Sequence, residues 1–124
     1  MEWKLELVAV PVSDVDRAKA FYTDTIGFDE DHDHTVDEGL RFVQLTPPGS
    51  ACSIAIGTGR VESAPGSVKG LQLVVADVEA ARAELVERGA DVTDVQDFPW
   101  GSHVFFSDPD GNAWSVQQVQ PRSQ

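Results

Sequence analysis

The chain has one cysteine, Cys52, among 124 residues. No internal disulfide can form, so the fold must rest on an apolar core, and a reducing cytoplasm is the expected compartment. Cys52 itself reads as a small apolar filler beside a turn. No apolar run approaches the roughly 20 residues that cross a bilayer. Met1-Glu2-Trp3-Lys4 passes directly into a strand pattern and lacks a signal peptide's apolar centre. Positive charge is scarce: 9 Lys and Arg stand against 21 Asp and Glu, a net charge of −12. Neither nucleic acid nor an anionic membrane is an expected partner of such a surface. The acidic excess serves solubility, or it favours a cationic ligand. No Ser-His-Asp or Cys-His arrangement and no phosphate-binding Gly loop is visible, so nucleophilic catalysis has no support.

What is present is a pattern written twice. Phe105-Phe106-Ser107-Asp108-Pro109-Asp110-Gly111-Asn112-Ala113-Trp114-Ser115-Val116 places apolar runs on both sides of a Pro-Asp-Gly-Asn turn. Proline presets φ, and Gly and Asn accept the left-handed backbone of a reversal. A β-hairpin follows. The same shape occurs around Thr46-Pro47-Pro48-Gly49-Ser50. A second pair of segments also repeats: Val10-Pro11-Val12-Ser13-Asp14-Val15 resembles Leu73-Val74-Val75-Ala76-Asp77-Val78. Asp14 and Asp77 stand 63 residues apart in a chain of 124. One module repeated twice accounts for this.

The periodicities give the elements of each module. Lys4–Val12 alternates as a strand. Ser13 or Asp14 caps a helix carrying Val15, Ala18, Phe21, Tyr22 and Ile26, which Gly27 ends. Strands follow over Phe28–Thr35, Leu40–Thr46 and Ser53–Gly57. In the second half, Gly70–Ala76 is a strand. Asp77 caps a helix with Val78, Ala81 and Leu85, closed by Gly89. Asp91–Gln96, Ser102–Ser107 and Ala113–Gln118 are the last strands. The expected fold is α+β, a single domain of two tandem βαβββ modules. Module one covers residues 1–57, a Gly/Ser/Pro-rich linker 58–69, and module two 70–120. The tail from Pro121 is expected to be loose. A small sheet with a helix on one face leaves its other face open. Two such faces opposite one another enclose a ligand cavity.

Pro11-Val12-Ser13-Asp14, Ala20-Phe21-Tyr22, Ile26-Gly27-Phe28 and Asp108-Pro109-Asp110-Gly111-Asn112, in this order, resemble the vicinal oxygen chelate superfamily. This group includes glyoxalase I, extradiol dioxygenases, and fosfomycin- and bleomycin-resistance proteins. The resemblance implies paired modules, a cup-shaped site and a homodimer. In metal-dependent members, His or Gln, Glu, His and Glu from the first and last strands of the two modules hold a divalent ion. Spacing from the capping Asp residues and the Asp-Gly-Asn turn carries those positions to Leu7, Gly70 and Ser115, and to Ala55 or Ser53. Gln72 shares a face with Gly70. These residue types are not a metal site. No metal and no cofactor is therefore expected. His32 and His34, at i, i+2 on a strand, could chelate, line the cup mouth or stand in water on a polar strand.

Alternation leaves Phe42 and Gln44 facing the cup from module one, and His103, Phe105, Ser115 and Gln117 from module two. Gln72 joins them, and Trp100 falls at the rim. Aromatics with a few hydrogen-bonding groups suit a flat, aromatic or cationic organic ligand. Of these side chains His103 is the candidate general acid–base, on its intrinsic pKa. Three readings stand at this point. One is a metal-free binder of a small organic molecule, resembling bleomycin-resistance proteins. The second is a metal-free isomerase, lyase or cyclase acting on a secondary metabolite, with His103 catalytic. The third is a metal-dependent lyase or dioxygenase, which the missing ligands disfavour.

Overall fold

Asp14 and Asp77 open two helices in the same way. Each lies in extended backbone, and its carboxylate accepts from the N–H three residues on, Arg17 N at 3.0 Å and Ala80 N at 3.1 Å. The caps satisfy donors that a helix start leaves without partners. They also mark two copies of one unit. The computed structural model describes residues 1–58 and 63–119. The first unit runs β1 (Leu7–Ala9), α1 (Val15–Ala20), β2 (Asp29–Asp37), β3 (Leu40–Thr46) and β4 (Ser53–Thr58). The second runs β5 (Lys69–Val74), α2 (Val78–Glu87), β6 (Gln96–Phe98), β7 (Gly101–Ser107) and β8 (Ala113–Gln118). Each forms a four-stranded sheet, ordered β1-β4-β3-β2 and β5-β8-β7-β6. The first strand of each unit is parallel to the last, and the other pairings are antiparallel. This is the tandem βαβββ architecture that the repeat implies.

Several boundaries differ from the sequence pattern, each for a local reason. The expected strand Lys4–Val12 pairs only over Leu7–Ala9. Pro11 has no N–H to continue a ladder, and its carbonyl accepts from Asn112 Nδ2 at 2.8 Å and Gly66 N at 3.3 Å. The first helix is not uniform. From Phe21 to Ile26 it widens into π-helix, and both Gly27 N and Phe28 N donate to Tyr22 O. The strand expected at Asp91–Gln96 forms instead at Gln96–Phe98. Thr93 is held beside β7 by single bonds, its N–H donating to Phe105 O and its hydroxyl accepting from Phe105 N, both at 3.1 Å. Residues 59–62, within the expected linker, and the tail from residue 120 lie outside the described residues.

The two units share one core. Val43, Leu45, Ile54 and Ile56 come from the first sheet, and Val104, Phe106, Trp114 and Val116 from the second. Val15, Ala18, Tyr22 and Ile26 fill the space between them, with Val78 and Leu85 of α2. Burying each such large side chain is worth about 1.5–3 kcal/mol. The aromatic contacts cross between units: Phe21 to Phe106 at 6.1 Å, Tyr22 to Trp114 at 5.7 Å and Phe28 to Trp114 at 5.6 Å. Each sheet thus turns its apolar face into the shared core, and its other face looks away from it.

Ion pairs hold α1 to the first sheet. Asp33 accepts from Arg41 Nε at 3.0 Å, Arg41 Nη2 at 2.9 Å and Lys19 Nζ at 2.7 Å. Arg41 also reaches Asp16 at 2.8 Å, and Lys19 reaches Glu30 at 2.9 Å. The guanidinium, then the ammonium, hold the Asp33 carboxyl far below the usual carboxylate range.

Candidate functional site

On the second sheet, register places Phe105 opposite Ser115, His103 opposite Gln117, and Gln72 opposite Ser115. Side chains alternate across a strand, so Gln72, His103, Phe105, Ser115 and Gln117 share the open face. Three of them are tied together. Gln72 Nε2 donates to Gln117 Oε1 at 2.7 Å, and Ser115 Oγ donates to Gln72 Oε1 at 3.1 Å. Gln72 and Ser115 of this strip line a concavity of about 390 Å³, whose aromatic wall is Phe98, Trp100, His103 and Phe105.

The wall is ordered by ring contacts. Phe98 and Trp100 stack at 5.0 Å and 8°, and His103 and Phe105 stack at 5.6 Å and 5°. Phe98 meets the His103 ring edge-on at 5.4 Å. Trp100 Nε1 donates to His103 Nε2 at 3.2 Å. That bond assigns the ring proton to Nδ1, which is buried and has no hydrogen-bond partner among the described residues. His103 is only 6% exposed, whereas Trp100 at the rim is 60% exposed. A large aromatic surface open to solvent beside a polar strip favours flat or cationic organic groups. Phe98 is the wall residue that strand alternation does not mark. Its place comes from the tight turn Phe98-Pro99-Trp100-Gly101, which folds one aromatic onto the next.

Phe42 and Gln44 lie elsewhere, on the open face of the first sheet. Gln44 Nε2 donates to Ser53 Oγ at 3.2 Å, Ser53 Oγ and Thr46 Oγ1 share a bond of 2.6 Å, and Thr46 Oγ1 donates to Asp31. Register puts His32 opposite Gln44 and His34 opposite Phe42, so both imidazoles join this face. They are exposed and stacked at 5.6 Å. The expected site residues therefore form two sets on two outward faces. Trp100, His103, Phe105, Gln72, Ser115 and Gln117 make one, and Phe42 and Gln44 belong to the other.

The positions that hold a metal in some relatives can be tested by register. Leu7 pairs with Ser53 and Gln72 with Ser115. Spacing alone makes Gly70 the twin of Leu7, but the ladder slips between Lys69 and Leu71, where Gly70 has φ +102°. That left-handed backbone favours glycine, and the slip brings Gln72 to the position. The register-matched set is an alkyl chain, two hydroxyls and an amide, and the amide's oxygen and nitrogen are both engaged. Among the described residues no group of three or more His, Cys, Asp or Glu could hold an ion. These donors do not fit a divalent cation.

Paired βαβββ units with polar–aromatic outer faces define the vicinal oxygen chelate type of fold. The chain belongs to the Glyoxalase/Bleomycin resistance protein/Dioxygenase superfamily, whose profile matches residues 4–116. The chain is similar to TnmS3, an antibiotic binding protein from Streptomyces sp. CB03234. The two are 38% identical over 98% of each chain, with a TM-score of 0.85. A glyoxalase/bleomycin resistance protein from the same organism is 41% identical, covers 93% of this chain and 100% of that one, and has a TM-score of 0.80. The uncharacterized protein YetH of Bacillus subtilis (strain 168) is 25% identical over 113 residues, 90% of this chain and 94% of that protein. No helix among the described residues is long and apolar enough to cross a membrane.

Proposed function

We propose that this chain binds a small, flat or cationic organic molecule of the antibiotic type, without a metal, in a cup completed by a second copy. The observation that carries this reading is the open aromatic wall Phe98–Trp100–His103–Phe105 above the Gln72–Ser115–Gln117 strip. The likeness to an antibiotic binding protein at 38% identity supports it. The outward orientation of both open faces supports the homodimer. Opposite faces of one chain cannot close on each other, but the first sheet of one copy can cover the second sheet of another. The single cysteine suits a reducing cytoplasm.

A second reading, a metal-free isomerase, lyase or cyclase, rests on one observation, the buried and unpartnered Nδ1 of His103. Against it, Nδ1 is buried and Nε2 already accepts from Trp100, so neither nitrogen is open to a substrate in this arrangement. The test is a melting-temperature screen with planar aromatic and cationic natural-product antibiotics, bleomycin among them. A binder raises the melting temperature by mass action, and Trp100→Ala or Phe105→Ala weakens binding about tenfold or more. A flat response across the whole panel overturns the binding reading. So does conversion of a bound compound to product that is lost in His103→Ala.

A further inference from the structure

His103 is buried in the aromatic wall, yet its one hydrogen bond among the described residues runs to the exposed rim. Trp100 Nε1 donates to its Nε2 at 3.2 Å. An indole N–H is a donor only, so Nε2 must offer a lone pair and Nδ1 carries the ring proton. The opposite tautomer would leave the buried Nδ1 equally alone and would set N–H against N–H at the rim. The Trp100 bond therefore selects the tautomer. Among the described residues the indole has two hydrogen-bond or ring contacts, this bond and the stack on Phe98 at 5.0 Å. His103 is held more firmly, with Phe105 stacked on it at 5.6 Å and Phe98 edge-on at 5.4 Å. The buried partner thus holds the exposed one.

A proton on Nε2 undoes this latch, because imidazolium has two donors and no acceptor. The strands beside the ring present neutral groups to it. Gln96 of β6 and Gln117 of β8 stand opposite His103, and Gln72 of β5 is bonded to Gln117. Lys69 of β5 engages Gly111 O at 2.7 Å. Asp97 accepts from Ser102 Oγ at 2.6 Å on the opposite face of the sheet. The charged residues of α2, Glu79, Arg82, Glu84 and Glu87, belong to that side too, where the helix packs on the core. Asp94 is paired with Arg82 at 3.1 Å, and Asp91 lies further along, beside Phe105 and Phe106.

We propose that His103 is a positioning residue of the ligand site: its unprotonated Nε2 holds the Trp100 indole in the wall, and a proton on Nε2 releases it. The inference rests on the binding reading above and goes further by giving His103 a role through Trp100 and the site a pH dependence. Imidazole side chains take up their proton between about pH 5 and 8. A ligand seated on the closed wall favours the unprotonated ring. Its affinity therefore falls as pH is lowered through that range, and binding there releases a proton.

Two measurements test this. Nitrogen NMR of the ligand-free chain should show His103 as the Nδ1–H tautomer at pH 8, its signals identified by their loss in His103→Gln. The Trp100 indole N–H signal, identified by its loss in Trp100→Phe, should move toward that of a free indole as His103 gains its proton, and stay in place in His103→Gln. An Nε2–H tautomer at pH 8, or an indole signal that ignores the protonation of His103, overturns the inference and leaves the binding reading standing. In titration calorimetry, the most stabilising panel compound should lose affinity between pH 8 and pH 5 by a factor roughly three to ten times larger in the parent than in His103→Gln, the worth of one hydrogen bond. Glutamine keeps an acceptor and has no proton to gain, so the comparison cancels the titration of the compound and of His32 and His34. Equal losses in the two proteins overturn the inference alone. A panel in which nothing binds overturns the binding reading and this role with it.

Discussion

The Tyr22 hydroxyl donates to Asp108 Oδ2 at 2.7 Å and accepts from Trp114 Nε1 at 2.9 Å, joining the first module's helix to the second module's hairpin. Asp108 is buried and is further held by Asn112 Nδ2 and by the N–H groups of Asp110 and Asn112. The Asp-Pro-Asp-Gly-Asn turn is thus more than a reversal. Asn112 also reaches Pro11 O, and Asp110 accepts from both Ser13 N and Ser13 Oγ.

Tyr22 is the single tyrosine, which makes its ionisation directly visible. Burial, and then the neighbouring Asp108 carboxylate, push its pKa well above the ordinary value. The folded value lies above the unfolded one, near 10, so the contribution to stability is complete below pH 10 and declines as pH rises beyond it. Tyrosinate absorbance near 295 nm should be absent from the folded protein at pH 11 and appear on unfolding in urea. Tyr22→Phe should cost about 1–3 kcal/mol, because Asp108 and the Trp114 N–H each lose a partner in a buried setting.

Asp33 makes the acid side testable. Its folded pKa is depressed, first by Arg41 and then by Lys19. Its stabilising effect is therefore complete above the unfolded value, near 3.9, and is lost as pH falls from there toward the folded value. Asp33→Asn should melt below the parent at pH 7. The gap between the two should narrow steadily below about pH 4. A gap that stays constant down to pH 2 would mean that the Arg41–Asp33–Lys19 contacts contribute nothing as charges.

A cup built from two chains predicts complementation. Phe42→Ala damages the first sheet's face and Trp100→Ala the second's, so each variant alone should bind the most stabilising panel compound at least tenfold more weakly. In a mixed dimer one cup receives both lesions and the other receives neither. With random exchange, about a quarter of the cups should regain parental affinity. Titration calorimetry on the equimolar mixture reads that fraction, and no regain would mean that each cup belongs to one chain.

The donor set around Leu7, Ser53, Gln72 and Ser115 predicts indifference to chelation. Dialysis against EDTA, or addition of Zn²⁺ or Mn²⁺, should leave the melting temperature unchanged. Elemental analysis of protein prepared without chelator should find far less than one divalent ion per chain. A stoichiometric ion, or a melting temperature that rises with added metal, would reverse the metal-free proposal.

Much of this was legible before any coordinates. The duplicated segments around Asp14 and Asp77 implied two units, and strand alternation separated Val43 and Leu45 from Phe42 and Gln44 correctly. These are local facts: a cap is set by its own first turn, and a face by the period of two. The altered boundaries involve partners remote in sequence. β1 is shortened where Asn112 and Gly66 take the Pro11 carbonyl, and residues 91–95 lie against β7 without a ladder.

The sequence by itself determined the repeat, the helix caps, the hairpin turns and which side chains share a face, because each depends on neighbours a few residues away. Only the tertiary structure decided that Gln72 rather than Gly70 stands opposite Ser115, that Phe98 stacks on Trp100, and that the two open faces look away from one core. Those outcomes depend on ladder slip and on contacts such as Tyr22 with Trp114, made between residues far apart in the chain, and no period in the sequence encodes them.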